Sequence, residues 1–316
     1  MGLSEAVLSW TVFNVAVAAL LLLDLFVINR KAHVIHLGEA IAWSIFWVCL
    51  ALGFIAGVYF WKGRPLALET LTGYIVELSM SVDNLFVFLV LFTYFQVPPR
   101  HQHRLLFWGI VGAVLMRALF ILAGVTLFER VEWIIYLFGA FLIYTGLKMA
   151  FKSEEQVHPE KNPILRLARK VLRVTPEYVE GHFVTRREGR LFATPMLVVL
   201  LVIESTDVIF ATDSVPAVIG VMKQAARSDA FLVYASNILA VLGLRAMYFA
   251  LAGLIEKFHL LHYGLAAILI FVGVRMCIPD SYDIQTQWAL GVILGLLAAS
   301  VVGSLLFPKR QSPSQG

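Results

Sequence analysis

The sequence predicts an all-α, polytopic membrane protein with about nine transmembrane helices, built on an inverted repeat of two three-helix units. Composition, the length of the apolar runs and internal similarity support this prediction. Of the 316 residues, 60% are hydrophobic and 15% are charged. A soluble domain has about 45–50% apolar and about 25% charged residues, so a water-soluble fold of this size could not bury so much apolar surface.

The apolar residues fall in long runs, many of about 18–25 residues, which is the length that crosses a bilayer as a helix. The first run has a full spanning length and no small-residue cleavage site, so we expect a retained helix rather than a signal peptide. Residues 1–316 are therefore predicted to form one transmembrane domain. Its nine candidate spans are residues 6–28, 39–61, 69–97, 105–128, 133–151, 192–222, 230–254, 261–278 and 287–307.

Lys and Arg residues are distributed unevenly among the loops between these spans. The odd-numbered loops and the C-terminal tail hold 16 of the 25, and the even-numbered loops hold 5. Because loops rich in Lys and Arg stay in the cytoplasm, the N-terminus is expected outside and the C-terminus inside. This placement explains the net charge of +4 without a nucleic-acid partner; the lipid bilayer is the expected partner, and protein partners stay open.

The longest polar segment, at about residues 152–191, is expected to be a cytoplasmic loop. Within it, residues 163–173 alternate apolar and basic side chains at helical spacing. This pattern is typical of a helix on the membrane surface, and a solvated connector helix is an equal alternative.

Residues 69–151 are similar to residues 192–278, with three spans in each segment. The offsets lie between 124 and 129 residues. Matching pairs include Arg117 with Arg245, Gly146 with Gly273, Lys148 with Arg275 and Asp83 with Asp207. Because three is an odd number, the second unit must enter the membrane from the opposite side. Inverted repeats place a substrate site near the midplane, where equivalent helices face each other.

Six acidic residues lie well inside the predicted spans, and each costs about 2.5–3.5 kcal/mol at a helix centre. They must be paired, protonated, hydrated or metal-bound. Five of them lie on spans 3 and 6, the equivalent first helices of the two units. The six residues are Asp24, Glu77, Asp83, Glu204, Asp207 and Asp213.

Asn84 and several hydroxyl groups add further oxygen atoms to spans 3 and 6, whereas all eight histidines lie in loops or at span ends. An oxygen-only ligand set suits Mg²⁺, Ca²⁺ or Mn²⁺ better than Zn²⁺ or Cu⁺. The candidate metal ligands are therefore Glu77, Asp83, Asn84, Glu204, Asp207 and Asp213.

A straight helix would not bring all of these groups to one point, so we expect a local break in span 6 at Pro216. Arg117 and Arg245 lie mid-span in equivalent helices. They could each neutralise an acid or close a gate. Internal salt bridging is the alternative for any single acid and is strongest for Asp24, which lies outside the two acidic segments.

The chain resembles the TerC/Alx family of integral membrane proteins. The resemblance is carried by Glu77-Leu-Ser-Met-Ser-Val-Asp83-Asn84-Leu-Phe-Val-Phe and by Glu204-Ser-Thr-Asp207-Val-Ile-Phe-Ala-Thr-Asp213-Ser-Val-Pro216. It covers about residues 10–305. It implies export of Mn²⁺ across the bacterial inner membrane, an association with tellurium resistance and a kinship with LysE-type exporters. The family's acidic positions correspond to Glu77, Asp83, Glu204, Asp207 and Asp213.

We therefore expect a secondary transporter rather than an enzyme, with Mn²⁺ as the transported substrate and no resident cofactor. The sequence lacks a Gly-x-x-x-x-Gly-Lys nucleotide-binding loop. Protons would compete for the site because metal binding needs charged carboxylates, although proton coupling stays open. Three alternatives remain: an exporter of another cation such as Ca²⁺, a tellurium-resistance or stress-associated membrane scaffold, and an intramembrane hydrolase with paired aspartates.

Overall fold

The structure is a computed structural model that describes residues 3–23, 37–131, 133–151, 163–179, 182–187, 190–251, 260–279 and 284–307. These ranges form helices and one short β-hairpin, which confirms the all-α membrane fold. The elements are α1 (Leu3–Leu23), α2 (Leu37–Lys62), α3 (Arg64–Tyr94), α4 (Pro99–Arg130), α5 (Ile134–Phe151), α6 (Pro163–Val171), β1 (Val184–Arg187), β2 (Arg190–Ala193), α7 (Pro195–Val221), α8 (Lys223–Ser228), α9 (Ala230–Leu251), α10 (Leu261–Cys277) and α11 (Thr286–Leu306).

Six of the described helices are long and apolar enough to cross a bilayer, namely α2, α3, α4, α5, α7 and α11. Shorter apolar stretches occupy Val7–Leu22, Ala230–Leu244 and Leu261–Cys277. Large apolar side chains such as Phe60, Leu115, Phe151 and Trp288 are exposed on the outer faces. Surfaces of this kind are stable against lipid rather than water. The count of nine spans stays a prediction.

Helices α3 and α4 begin at Arg64 and Pro99, earlier than the sequence predicts. Gly63, with φ of +88°, turns the chain between α2 and α3. Both helices carry a proline in their first turn. Proline lacks a backbone N–H, and at this position that N–H would have no acceptor within the helix. Polar residues at the span ends therefore continue the helices beyond their apolar parts.

The break expected at Pro216 is not present, because α7 is one continuous helix with Pro216 buried inside it. Neighbouring helices pack closely around this part of α7. Gly124 of α4 lies against Val215 and Ile219, and Gly220 of α7 lies against Met276 of α10. Packing from both sides holds the helical path that an isolated proline would disrupt.

The described part of the loop between α5 and α7, from residue 163 onwards, is folded against the helices. Leu165 of α6 is 1% exposed and α6 packs on α7, while Leu167 and Val171 are exposed. The predicted helix is therefore confirmed, whereas the antiparallel β1–β2 hairpin was not expected. Tyr178 donates a hydrogen bond of 2.7 Å to the carbonyl of Phe95, at the end of α3, and burial raises the pKa of Tyr178 to about 12.

In the centre of the protein, α3 and α4 each pack on both α7 and α9, and α5 packs along α10. Glycines allow the close α5–α10 approach. A Cβ at Gly139 would lie 2.8 Å from the carbonyl of Gly273, and a Cβ at Gly146 would lie 2.8 Å from the carbonyl of Ala266. The two helices are therefore antiparallel at their contact.

Candidate functional site

A buried arginine joins four helices in the centre of the protein. Arg117 of α4 donates hydrogen bonds to Glu77 of α3 and, at 3.0 Å, to Asn237 of α9. Its other terminal nitrogen lies 3.7 Å from a carboxylate oxygen of Asp207 on α7. Asn237 closes the network by donating a 2.7 Å hydrogen bond to Glu77. Both carboxylates thus share one guanidinium in an interior where unpaired charge is costly.

Asn237 was not among the sequence-predicted residues, although it is fully buried. Its signal in the sequence is an amide within the apolar run of α9. A buried amide needs hydrogen-bond partners, and such groups in membrane spans commonly mark functional positions. Arg117 is ion-paired in this structure, and a gating role for it stays a prediction.

Glu204 lies one helical turn before Asp207 on α7 and packs against α4. Gly112 faces its carboxylate so closely that a Cβ at this position would overlap the carboxylate atoms. The absence of a side chain at Gly112 therefore makes room for Glu204. Glu204 thus adds a third carboxylate beside Asp207, whereas Arg117 pairs with Glu77 and Asp207.

Asp213 lies beside a separate cavity of about 90 Å³. A volume of this size accommodates a cation with bound water. Thr145 of α5 lies 3.4 Å from Asp213 and donates a hydrogen bond to its carboxylate. Residues from α3, α5, α7 and α10 line the cavity: Met80, Asn84, Met149, Phe210, Asp213, Ser214, Leu265 and Leu269.

Several buried oxygen atoms near these groups have no hydrogen-bond partner among the described residues. They are Oγ of Ser81, Oγ of Ser214 and Oδ2 of Asp207, and the three residues are at most 3% exposed. By contrast, the hydroxyls of Ser79 and Thr206 donate to carbonyls of their own helices. Unsatisfied buried oxygens are uncommon in folded proteins and suit a ligand that supplies positive charge.

The structure divides the predicted ligands into two groups. Glu77 and Asp207 belong to the Arg117 network with Glu204 near it, whereas Asn84 and Asp213 line the cavity. The remaining predicted residues are less fully described: the backbones of Asp83 and Arg245 lie in α3 and α9 but their side chains are outside the described atoms, and Asp24 lies outside the described residues.

A second, wider cavity of about 840 Å³ lies at the other end of α5. Tyr136 lines it, thirteen residues before Met149 of the smaller cavity, a separation of about 20 Å along a helix. Its other lining residues come from α4, α5, α8 and the end of α10: Phe128, Glu129, Trp133, Ile135, Arg227, Met276, Ile278 and Pro279. The protein therefore has cavities towards both ends of its helical core.

Apolar outer faces, membrane-length helices and buried charges at the helix contacts define a polytopic integral membrane protein with a polar interior. Residues 62–312 match the Integral membrane protein TerC family. The chain belongs to this family, as its two acidic segments predict.

Relatives from several bacteria are similar over nearly the whole chain. An uncharacterized membrane protein of Myxococcus xanthus is 47% identical over 96% of this chain and 94% of its own length. Alx of Escherichia coli K12, whose name describes a membrane-bound redox modulator, is 44% identical over 98% of both chains. Alx of Photorhabdus laumondii is 40% identical over 93% of both chains. No solved structure gives a significant match.

Proposed function

We propose that this protein is a secondary transporter that exports divalent metal cations, with Mn²⁺ as its principal substrate, across the bacterial inner membrane. One observation carries the proposal: the Asp213 cavity combines a carboxylate, the Asn84 amide and the hydroxyl of Ser214, which has no hydrogen-bond partner within the described part of the chain. A carboxylate at a cavity among membrane helices is costly unless it serves a substrate or ion. A neutral solute would not need the carboxylate, and an anion would be repelled by it.

The donor chemistry supports a hard or borderline divalent ion. Carboxylate, amide and hydroxyl oxygens suit Mg²⁺, Ca²⁺ and Mn²⁺. Water in the cavity would complete the coordination shell of an ion held by Asp213 and Asn84. Glu204, Asp207 and Asp83 would then guide the ion along α7 and α3, consistent with their place in the same pair of facing helices.

The Arg117 network is assigned a positioning role in this proposal. A guanidinium that pairs with both Glu77 and Asp207 holds α3, α4 and α7 together. A divalent cation or protons could replace that positive charge during transport. Protons would compete with the metal for the carboxylates, because only the ionised forms bind it.

The arrangement of cavities supports alternating access between two inverted repeats. Gly139 and Gly146 of α5 correspond, at an offset of 127, to Ala266 and Gly273 of α10. Exchanging the two units places Ala266 where Gly139 was and Gly146 where Gly273 was. The Gly139–Gly273 contact therefore maps onto the Gly146–Ala266 contact. Such a pair of contacts is expected at a pseudo-two-fold axis.

The distribution of Lys and Arg among the loops orients the two cavities in the membrane. By that distribution, the smaller cavity faces the cytoplasm and the wider one faces outside.

Transport in proteoliposomes tests the proposal. The purified full-length chain is reconstituted, and Mn²⁺ flux is followed for the wild type, Asp213→Asn and Asn84→Leu. Glu177→Gln is the matched control, because Glu177 is an exposed acid in the folded loop. We expect flux to fall at least about tenfold in both cavity variants and to be unchanged in the control. Wild-type flux no faster than in empty vesicles, or full flux in both cavity variants, would refute the assignment.

The same preparation separates the alternatives. A scaffold would show no flux, and a Ca²⁺ exporter would move Ca²⁺ in preference to Mn²⁺. A redox role, suggested by the name of the Alx relatives, would need an electron carrier. The two cysteines, Cys49 and Cys277, are free thiols on α2 and α10, so replacing both with serine should leave Mn²⁺ flux intact. A hydrolase would cleave peptide substrates, which incubation with purified protein would detect.

A further inference from the structure

Two thioether side chains line the cavity beside Asp213. Met80 comes from α3 and Met149 from α5, and both side chains are partly buried. The carboxylate, amide and hydroxyl at the same cavity come from Asp213, Asn84 and Ser214. The cavity therefore offers sulfur as well as oxygen, which differs from the oxygen-only set that the sequence predicts.

The backbone of Met149 is held in place although it lies near the end of α5. Its carbonyl oxygen lies 2.8 Å from Nε2 of His262, at the start of α10. One turn earlier, Gly146 packs directly on Ala266, and Thr145 donates to Asp213. These contacts hold the last turn of α5 against α10, with Met149 in the wall of the cavity.

Sulfur and oxygen ligands discriminate among divalent ions. Ca²⁺ and Mg²⁺ are hard ions that bind oxygen and gain little from a thioether. Transition-metal ions, and Cd²⁺ above all, tolerate or prefer the softer sulfur ligand. An ion that enters this cavity must give up part of its water shell to a wall of sulfur and hydrocarbon. That exchange costs a hard ion more than a soft one.

We propose that Met80 and Met149 are specificity-determining residues, which make the cavity select transition-metal divalent cations such as Mn²⁺ over Ca²⁺ and Mg²⁺. This inference rests on the proposed transport of divalent cations through the Asp213 cavity. The carboxylate attracts the ion, and the thioethers determine which ion loses its water there at least cost.

The test measures flux of Mn²⁺, Cd²⁺ and Ca²⁺ in proteoliposomes that contain the full chain. Met80→Leu and Met149→Leu keep the side-chain volume and remove the sulfur. Met196→Leu is the matched control, because Met196 is buried in the first turn of α7, about 25 Å along the helix from Asp213. We expect each cavity variant to lower the preference for Cd²⁺ over Ca²⁺ by about five- to tenfold, equivalent to about 1–1.4 kcal/mol. The Met196 variant should keep the wild-type preference.

A reciprocal variant covers the case in which a leucine variant does not fold. Leu269→Met adds a third thioether to the same cavity and is expected to raise the preference for Cd²⁺. If the wild type carries ions and Asp213→Asn stops them, but all the methionine and leucine exchanges keep the wild-type preference, the selectivity role is wrong while transport stands. If the wild type carries no divalent cation, the proposed function itself fails.

Discussion

Replacing Arg117 by methionine would remove the guanidinium that Glu77 and Asp207 share while keeping a side chain of similar reach. Arg117 and Glu77 have no exposed side-chain surface, and the side chain of Asp207 is 4% exposed. Removing one partner of a buried ion pair typically costs about 3–5 kcal/mol, because the remaining charge has no compensation. Net stabilities are about 5–15 kcal/mol, so Arg117→Met should remove about a fifth or more of the total.

A double variant separates the charge effect from lost packing. Glu77→Gln combined with Arg117→Met leaves Asn237 able to pair with a neutral amide and removes one of the uncompensated charges. Residues in one network commonly show coupling energies of about 0.5–3 kcal/mol. We therefore expect the double variant to be about 2 kcal/mol more stable than the sum of the two single effects. An exposed cation on α6 gives the control, Arg166→Met, which should change stability by less than about 0.5 kcal/mol.

Equilibrium unfolding in mixed micelles, followed by circular dichroism and titrated with a denaturing detergent, measures these differences. Two results would refute the reasoning. The first is a cost below about 1 kcal/mol for Arg117→Met, the range of an exposed ion pair. The second is strict additivity of the two single variants, which would mean that Glu77 and Arg117 do not stabilise each other.

Three further predictions follow from individual contacts. Gly112→Ala places a Cβ on the Glu204 carboxylate, so Mn²⁺ flux should fall several-fold, and unchanged flux would show that Glu204 is not held there. Gly273→Ala should destabilise the α5–α10 contact by about 1–3 kcal/mol, whereas Gly53→Ala, with nothing within 4 Å, should not; equal thermal shifts would contradict the packing argument. Because burial raises the pKa of Tyr178 to about 12, the stability from its protonated phenol should be complete below pH 10 and decline towards pH 12. Tyr178→Phe should flatten that part of the stability–pH curve, and an unchanged slope would contradict the assignment.

The fold was largely predictable because the bilayer fixes the length of apolar helices. Helices occupy the predicted spans where the structure describes them, and a further helix lies in the loop before α7; six of them have the length and hydropathy of a membrane span. Helix ends were less predictable, since Pro99 and the residues after Gly63 extend helices beyond their apolar parts. Pro216 shows the opposite failure: its local preference predicts a break, but packing by α4 and α10 keeps α7 helical.

The candidate site was predictable in its components but not in its pairings. The acidic residues and Arg117 are visible in the sequence as charges within apolar spans. Their partners depend on which face each helix turns towards its neighbours. The hydrogen bonds that join Arg117, Glu77 and Asn237 connect residues 40 to 160 positions apart, and no local pattern specifies such contacts.

By itself, the sequence determined that this chain is a helical membrane protein of the TerC family with carboxylates inside its spans, because hydropathy and charge act residue by residue. The tertiary structure decided how those carboxylates are divided. Helix packing brings Glu77 and Asp207 to one guanidinium and leaves Asp213 at a cavity with Asn84 and two thioethers. The rotation of each helix about its axis sets that division, and the axis orientation is fixed only when neighbouring side chains pack together.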